Sequence, residues 1–160
     1  MIQLNDMTES EFLNYKPLLI EDYAQDISRN ARIPIDEARS RSNNQIDGLL
    51  SEGLSTPNHF LYTIRLKNGE TDEQIGYLWL NVDKKKLSCF ICDIYLHEPF
   101  RGNGWGRKTL ELVEIQMTEQ NIQKIGLHVF GDNAIARRLY TKLGYQVTGL
   151  NMQKWLEVKS

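Results

Sequence analysis

Three glycines alternate within the segment RGNGWG, residues 101–106, directly before a stretch whose apolar residues follow helical spacing. Glycine lets the backbone approach a ligand closely, and the first turn of a helix presents N–H groups without a partner inside the helix. Such amides bind phosphate oxygens, and Arg101 adds a positive charge beside them. The segment therefore predicts an anion-binding loop that suits a pyrophosphate.

Two familiar nucleotide-binding motifs come close to this loop, and both fail at one residue. Counted from Gly102, a P-loop requires glycine directly before Lys108, and Arg107 stands there. The dinucleotide fingerprint GxGxxG requires its third glycine at that same position. The preceding strand also comes late in a meander rather than in a first βαβ unit. Both nucleotide-binding folds are therefore disfavoured.

The elements that position this loop follow from hydrophobic periodicity and from turn and capping residues. A capping box at Thr8 and Glu11 predicts a first helix, which Pro17 is expected to kink or split. A second helix is expected from Pro34 to before Gly53. Three strands then follow at 59–66, 74–82 and 87–96, separated by polar turns.

After the glycine loop, the pattern predicts a helix, a strand at 124–130 and a second helix capped by Asp132 or Asn133 and ended by Gly144. The segments YQVTG and MQKWLEV are expected to form a last strand pair. This order predicts an α/β (α+β) fold, in which helices cover both faces of one mixed, largely antiparallel twisted sheet of about six to seven strands.

Length and composition limit the classes of function. The chain of 160 residues is expected to form one domain over 1–160, and its net charge of −2 provides no strong field for nucleic acid. Cys89 and Cys92 lie three apart in a strand and should face opposite sides, without a second ligand pair for a metal. No segment resembles a leader or a membrane span, so we expect a cytoplasmic protein without a membrane partner.

Two motifs together resemble those of a known superfamily. RGNGWG is similar to the (Gln/Arg)xxGx(Gly/Ala) signature of the GNAT superfamily of acyl-CoA-dependent N-acyltransferases. Downstream, LHVFGDNAIARRLYTKLGY resembles the following segment of that superfamily. Among its members, the motifs are similar to those of ribosomal-protein N-terminal alanine acetyltransferases. The resemblance implies the GNAT fold with a splayed strand pair, acetyl-CoA as co-substrate and an amine as acceptor.

The resemblance also implies which residues bind the cofactor. Backbone groups of Ile94, Tyr95 and Leu96 would pair with the pantetheine arm, and an amide near Leu96 would polarise the thioester carbonyl. The pyrophosphate would be held by the whole loop, namely Arg101, Gly102, Asn103, Gly104, Trp105 and Gly106. Asn133 aligns with an asparagine that touches pantetheine, although a helix N-cap alone would also explain it.

Three further residues are implied in catalysis. Tyr140 aligns with the tyrosine that protonates the leaving thiolate, and a core aromatic is its alternative explanation. Some relatives carry a Glu base in the middle of the LxV strand, where this chain has His128. Histidine is a residue type suited to act as a base near neutral pH, and a histidine hydrogen-bonded at the edge of the core is the alternative explanation. Asp93, in the apolar run FICDIYL, is the competing base, an ammonium binder or a structural hydrogen-bonding group, because an unpaired buried carboxylate is costly. His59 and Glu98 are weaker candidates.

The acceptor amine cannot be identified from the sequence. Small amines, antibiotics, peptide N-termini and lysine side chains all remain open, and the acidic segment EDYAQD would favour a cationic one. A catalytically silent protein that binds CoA as a sensor or structural ligand is the alternative to an enzyme. A homodimer through the C-terminal strands is a further expectation from the resemblance.

Overall fold

The computed structural model describes residues 1–158, in which five strands form one mixed sheet in the order β1-β2-β3-β4-β5. Strands β1 to β4 pair antiparallel, whereas β5 runs parallel to β4. The elements in chain order are β1 (Ile2–Asp6), α1 (Glu9–Ala31), α2 (Ile35–Leu49), β2 (His59–Asn68), β3 (Thr71–Asp83), β4 (Ser88–Leu96), α3 (Trp105–Glu119), β5 (Lys124–Leu127) and α4 (Ala134–Lys142). None of the helices within residues 1–158 is long and apolar enough to span a membrane.

Helices cover both faces of the sheet and create two hydrophobic layers. On one face, α3 packs Leu110, Val113 and Met117 onto strand residues such as Leu78 and Leu80. On the other face, α1 and α2 pack against β2 and β3 through Met7, Phe12, Tyr15, Leu19, Ile46, Leu61, Tyr77 and Trp79. Because β3 is buried on both faces, it forms the centre of the molecule. The predicted mixed α/β sheet with helices on both faces is confirmed.

Helix α1 begins as predicted and continues past its proline. The Thr8 hydroxyl accepts from the Glu11 amide at 3.1 Å, and the Glu11 carboxylate accepts from the Thr8 amide at 2.9 Å, which completes the capping box. Of the expected kink or split at Pro17, the split is wrong, since one helix runs from Glu9 to Ala31. Buried residues on both sides of Pro17 share one helix face, so packing on the sheet outweighs the lost backbone hydrogen bond.

The strand count is lower than expected, and the assignment of strands differs at both ends of the chain. Residues 2–6, for which no strand was predicted, pair with β2 from Ile2↔Leu66 to Asp6↔Tyr62. The predicted pair YQVTG and MQKWLEV has no regular structure, and the strand predicted at 124–130 ends at Leu127. Alternating side chains mark residues that can form strands, but a strand also needs a partner edge, which the sequence pattern alone does not identify.

Candidate active site

A gap opens between β4 and β5 because the two strands pair over only part of their length. Their register runs from Ser88↔Lys124 to Ile91↔Leu127, where β5 ends, while β4 continues to Leu96. Within residues 1–158, the edge of β4 that faces β5 therefore has no strand partner beyond Ile91. We call this opening the slot. An unpaired strand edge can bind an extended ligand through its N–H and C=O groups, and Ile94, Tyr95 and Leu96 lie along it.

A β-bulge in β4 decides which side chains face the slot region. Pairing with β3 shifts between Trp79↔Asp93 and Leu80↔Ile91, so Cys92 is the extra residue. Cys89 and Ile91 belong to the layer under α3, and strict alternation would place Asp93 on that same face. The bulge instead directs Cys92 and Asp93 toward α1. The thiols of Cys89 and Cys92 are both free.

Asp93 is held in this position by a side chain from the first helix. The Tyr15 hydroxyl donates to Asp93 Oδ2 at 2.6 Å. The pKa of Asp93 is raised to about 6, mainly by burial and in addition by the negative charges of Asp22 and Asp26 on α1. The hydrogen bonds from Tyr15 and from the Ile94 amide act in the opposite direction. The carboxyl is therefore mostly ionised at neutral pH yet more basic than an ordinary aspartate.

An aromatic cluster around Asp93 lines the α1 side of the slot. The Tyr77 ring lies between those of Tyr15 and Tyr95, with centroid distances of 4.7 and 6.3 Å. The His97 ring packs edge-on against both Tyr77 and Tyr95 at 5.5 Å, and its Nε2 is 2.8 Å from Gln74 Oε1. Burial and the nearby Arg101 lower the pKa of His97. Sequence reasoning missed Tyr15 and His97, because Tyr15 has the spacing of a core residue and His97 lies outside both motifs.

The glycine loop lies at the open end of the slot and leads into α3. Gly102 and Gly104 have φ values of 76° and 82°, and a Cβ at either would meet no atom within 4 Å. Backbone conformation, not crowding, thus requires glycine there. Gly104 is the N-cap of α3 without a side-chain cap, so the first-turn amides stay available to an anion. This open cradle of amides fits a pyrophosphate group.

The other loop residues have local partners. Arg101 is exposed, its Nε donates to the Leu96 carbonyl oxygen at 2.8 Å, and its guanidinium lies 5.2 Å from the centre of the Tyr95 ring. Asn103 Nδ2 donates to the Arg101 carbonyl at 3.3 Å, and Lys108 Nζ lies 4.8 Å from the Trp105 ring. The Arg101 side chain thus covers the end of β4, next to the amide cradle.

Of the remaining candidates, Tyr140 interacts electrostatically with Asp93, and His128 and Asn133 have local contacts. Tyr140 is partly buried on α4, with its ring edge-on to Tyr145 at 5.7 Å; burial raises its pKa, and the charge of Asp93 raises it further. His128 is exposed just beyond the end of β5, with its ring edge-on to Phe130 at 5.1 Å. Asn133 caps α4 by accepting from the Ala136 amide at 3.2 Å.

The two weaker candidates lie in settings that explain them structurally. His59 Nδ1 accepts from Trp79 Nε1 at 2.8 Å, and burial lowers the pKa of this histidine. Glu98 is exposed in a short 3-10 turn after β4.

An ion pair joins α1 to the loop before α4. Arg29 Nε is 2.6 Å from Asp132 Oδ2, and Arg29 also pairs with Asp26 at 2.7 Å. These residues, with Phe130 and Asn133, line a cavity of about 300 Å³. The carboxyl-terminal half of α1 thus faces the loop that follows β5.

Comparison with known proteins identifies the class to which this fold and site belong. Residues 20–145 match the model of the acetyltransferase (GNAT) family. The chain therefore belongs to the GNAT family of acetyltransferases, and by homology it is an N-acetyltransferase.

Two relatives from Bacillus subtilis match almost the whole chain. The uncharacterised N-acetyltransferase YycN is 31% identical over 157 residues, which cover 97% of this chain and 99% of YycN. The uncharacterised N-acetyltransferase YdgE is 30% identical over 155 residues, covering 96% of this chain and 97% of YdgE. The crystal structure of YycN superposes with a TM-score of 0.91 and covers 99% of this chain and 100% of its own. The GNAT fold expected from the motifs is confirmed.

Proposed function

We propose that the protein transfers the acetyl group of acetyl-CoA to a primary amine by direct attack in a ternary complex, with Asp93 as general base and Tyr140 as general acid. One observation carries this proposal. Asp93 lies beside the unpaired edge of β4, is fixed by Tyr15 at 2.6 Å, and has its pKa raised to about 6 by burial. A base in this range accepts protons efficiently near neutral pH.

Between the two predicted bases, the surroundings favour Asp93 over His128. The Asp93 carboxyl is partly buried and hydrogen-bonded, and its charge raises the pKa of Tyr140, whereas His128 is exposed and packs on Phe130. We therefore assign no proton transfer to His128. The specific likeness to ribosomal-protein alanine acetyltransferases stays a prediction.

Acetyl-CoA would bind along the slot. Left-handed Gly102 and Gly104 and the first-turn amides of α3 support a pyrophosphate site, with Arg101, Asn103, Trp105 and Gly106 around it. The backbone of Ile94, Tyr95 and Leu96 would pair with the pantetheine amides. Asn133 would contact the arm while it caps α4. When bound, acetyl-CoA supplies an electrophilic carbonyl and a thiolate leaving group.

The proton transfers are divided between two side chains. Asp93 accepts a proton from the acceptor ammonium, directly or through water, which frees the nitrogen lone pair to attack the carbonyl carbon. The C–S bond breaks as the C–N bond forms, and Tyr140 donates its proton to the departing sulfur. The nitrogen loses a second proton as the amide forms, which restores the proton of Tyr140, and Asp93 releases the proton that it accepted to solvent. The balance is one amide, free CoA and one released proton.

Acidic side chains near Asp93 favour a cationic acceptor. The negative charges of Asp22 and Asp26 on α1 raise the pKa of Asp93. Arg29 neutralises part of this negative charge, because it pairs with Asp26 and also with Asp132.

We also propose that the protein forms a homodimer through residues 145–158. This segment exposes Val147, Leu150, Met152, Trp155, Leu156 and Val158, with exposed fractions of 47–92%.

A coupled assay tests the proposal. Release of CoA from acetyl-CoA should be measured over a panel of amines, with the binding of acetyl-CoA followed by calorimetry. We expect Asp93→Asn to lower kcat/KM by about 10² to 10⁴-fold and Tyr140→Phe by on the order of 10²-fold, each with little change in cofactor affinity. His128→Asn serves as the matched control and should keep nearly full activity.

Two results would contradict the assignment. A large loss in His128→Asn with full activity in Asp93→Asn would make His128 the base. Binding of acetyl-CoA without turnover on any amine would instead support the silent CoA-binding protein.

A further inference from the structure

We propose that Tyr15 is a positioning residue for acetyl transfer: its hydroxyl fixes the Asp93 carboxylate next to the slot and keeps this group in its proton-accepting form. The inference rests on the proposed role of Asp93 as base. It adds a residue from the first helix, 78 positions away in the chain, to the machinery on β4.

The contact is short and rigid on the Tyr15 side. Tyr15 is fully buried, and its ring packs against Tyr77 at 4.7 Å with an interplanar angle of 37°. Phe12 and Leu19 are buried on the same helix face, one turn to either side. The hydroxyl therefore has one position, 2.6 Å from Asp93 Oδ2. A short O–H···O⁻ bond of this kind orients a carboxylate strongly.

The surroundings of Asp93 make this hydrogen bond chemically important. From α1, Asp22 and Asp26 face the carboxyl with like charge, and burial also opposes its ionisation. From β4 the neighbour is the Cys92 thiol, from α4 it is Tyr140, and from β3 it is Trp79, the register partner of Asp93.

None of these groups provides a positive charge next to the carboxylate. Among the described contacts, the Tyr15 hydroxyl and the Ile94 amide are the ones that lower the pKa of Asp93. Without the Tyr15 hydroxyl, burial and the negative charges of Asp22 and Asp26 still raise the pKa of Asp93, and the hydrogen bond from α1 that lowers this pKa is lost. The ionised, proton-accepting form of Asp93 should then require a higher pH.

The test is the pH profile of kcat/KM in Tyr15→Phe, which keeps the ring and removes only the hydroxyl. We expect the acid limb to move upward by about 0.5 to 1 pH unit, so that activity falls roughly two- to fivefold at pH 6 and recovers largely above pH 8. Tyr23→Phe is the matched control on the same helix, because its hydroxyl donates to Gln45 Oε1 at 3.0 Å instead. Its acid limb should stay in place.

A purely structural role of Tyr15 would give a different result, namely equal loss of activity at every pH. An acid limb unmoved in Tyr15→Phe, while Asp93→Asn loses turnover, would overturn the inference and leave the proposed function intact. Full activity in Asp93→Asn would overturn both.

A measurement on the wild-type protein avoids dependence on a folded variant. The Tyr15 hydroxyl proton should give a slowly exchanging downfield NMR resonance that shifts as Asp93 titrates. Its absence in a well-folded sample would contradict the inference.

Discussion

On one side of the slot the chain presents backbone, and on the other it presents packed side chains. The cofactor side, so named for its proposed role, comprises residues 101–106 and the start of α3 and consists of left-handed glycines and helix amides. The acceptor side, likewise named for its proposed role, consists of Tyr15, Asp22 and Asp26 from α1 and Asp93 from β4, joined by hydrogen bonding and charge. The first is set by local chain geometry, whereas the second exists only after α1 has packed on the sheet.

The difference explains why the two sides should respond to different substitutions. A binding site built from backbone amides tolerates substitutions that preserve the φ angles. It loses affinity for its ligand when a substitution changes φ, with little dependence on pH. A site of coupled side chains keeps its shape under conservative substitutions, but the pKa values of its carboxyl groups shift, because each pKa depends on the neighbouring charges and hydrogen bonds.

The cofactor side should be most sensitive at Gly104. Its φ of 82° is strained for any L-residue and most for a β-branched one, so Gly104→Val should turn the first amides of α3 away from the pyrophosphate. We expect affinity for acetyl-CoA to fall by on the order of 100-fold, measured by calorimetry. Gly106→Ala is the control, because a Cβ there would lie 3.7 Å from Leu96 Cδ1, an ordinary contact. Equal affinity in both variants would contradict a backbone-built site.

This contrast also explains what the sequence could predict. Gly102 and Gly104 reflect local geometry, so the loop, its helix and the N-cap at Asn133 could be identified from a few adjacent residues. Such positions carry the same signal in any tertiary setting. The strands β2, β3 and β4 were likewise predicted from alternation and turns.

The acceptor side could be predicted only in part, because it depends on contacts between distant segments. Asp93 was identified as a polar residue in an apolar strand, but its direction is set by the bulge at Cys92, which alternation does not reveal. Its partner Tyr15 has the spacing of an ordinary core aromatic. The strand β1 and the irregular segment 145–158 were missed for the same reason, since pairing with a particular edge is a tertiary property.

On the acceptor side, Asp93 should make the free energy of unfolding depend on pH. The pKa of Asp93 is about 6 in the folded protein, above its usual value near 4, so the folded state binds more protons between these values. Stability contributed by this residue is present at low pH and is lost as pH rises through about 6. Relative to the wild type, Asp93→Asn should therefore gain roughly 2 to 3 kcal/mol in unfolding free energy between pH 4 and pH 8.

Chemical denaturation at several pH values measures this difference. Asp36→Asn is the control for removal of a charge, because the Asp36 side chain is 93% exposed. A constant difference between wild type and Asp93→Asn at all pH values would contradict the raised pKa of the carboxyl, whatever the variant does to activity.

The smallest expected effect separates charge from hydrogen bonding on the acceptor side. Asp22 raises the pKa of Asp93 through space, without a hydrogen bond between them, so Asp22→Asn should shift the acid limb of kcat/KM downward by a few tenths of a pH unit, roughly. The direction is opposite to that expected for Tyr15→Phe, and added salt should reduce it because Asp22 is exposed. Asp47→Asn, which removes a carboxylate paired with Lys16, is the control. If Asp22→Asn left the limb in place, the charge of Asp22 would not act on Asp93, and the acceptor side would be tuned by burial and hydrogen bonding instead.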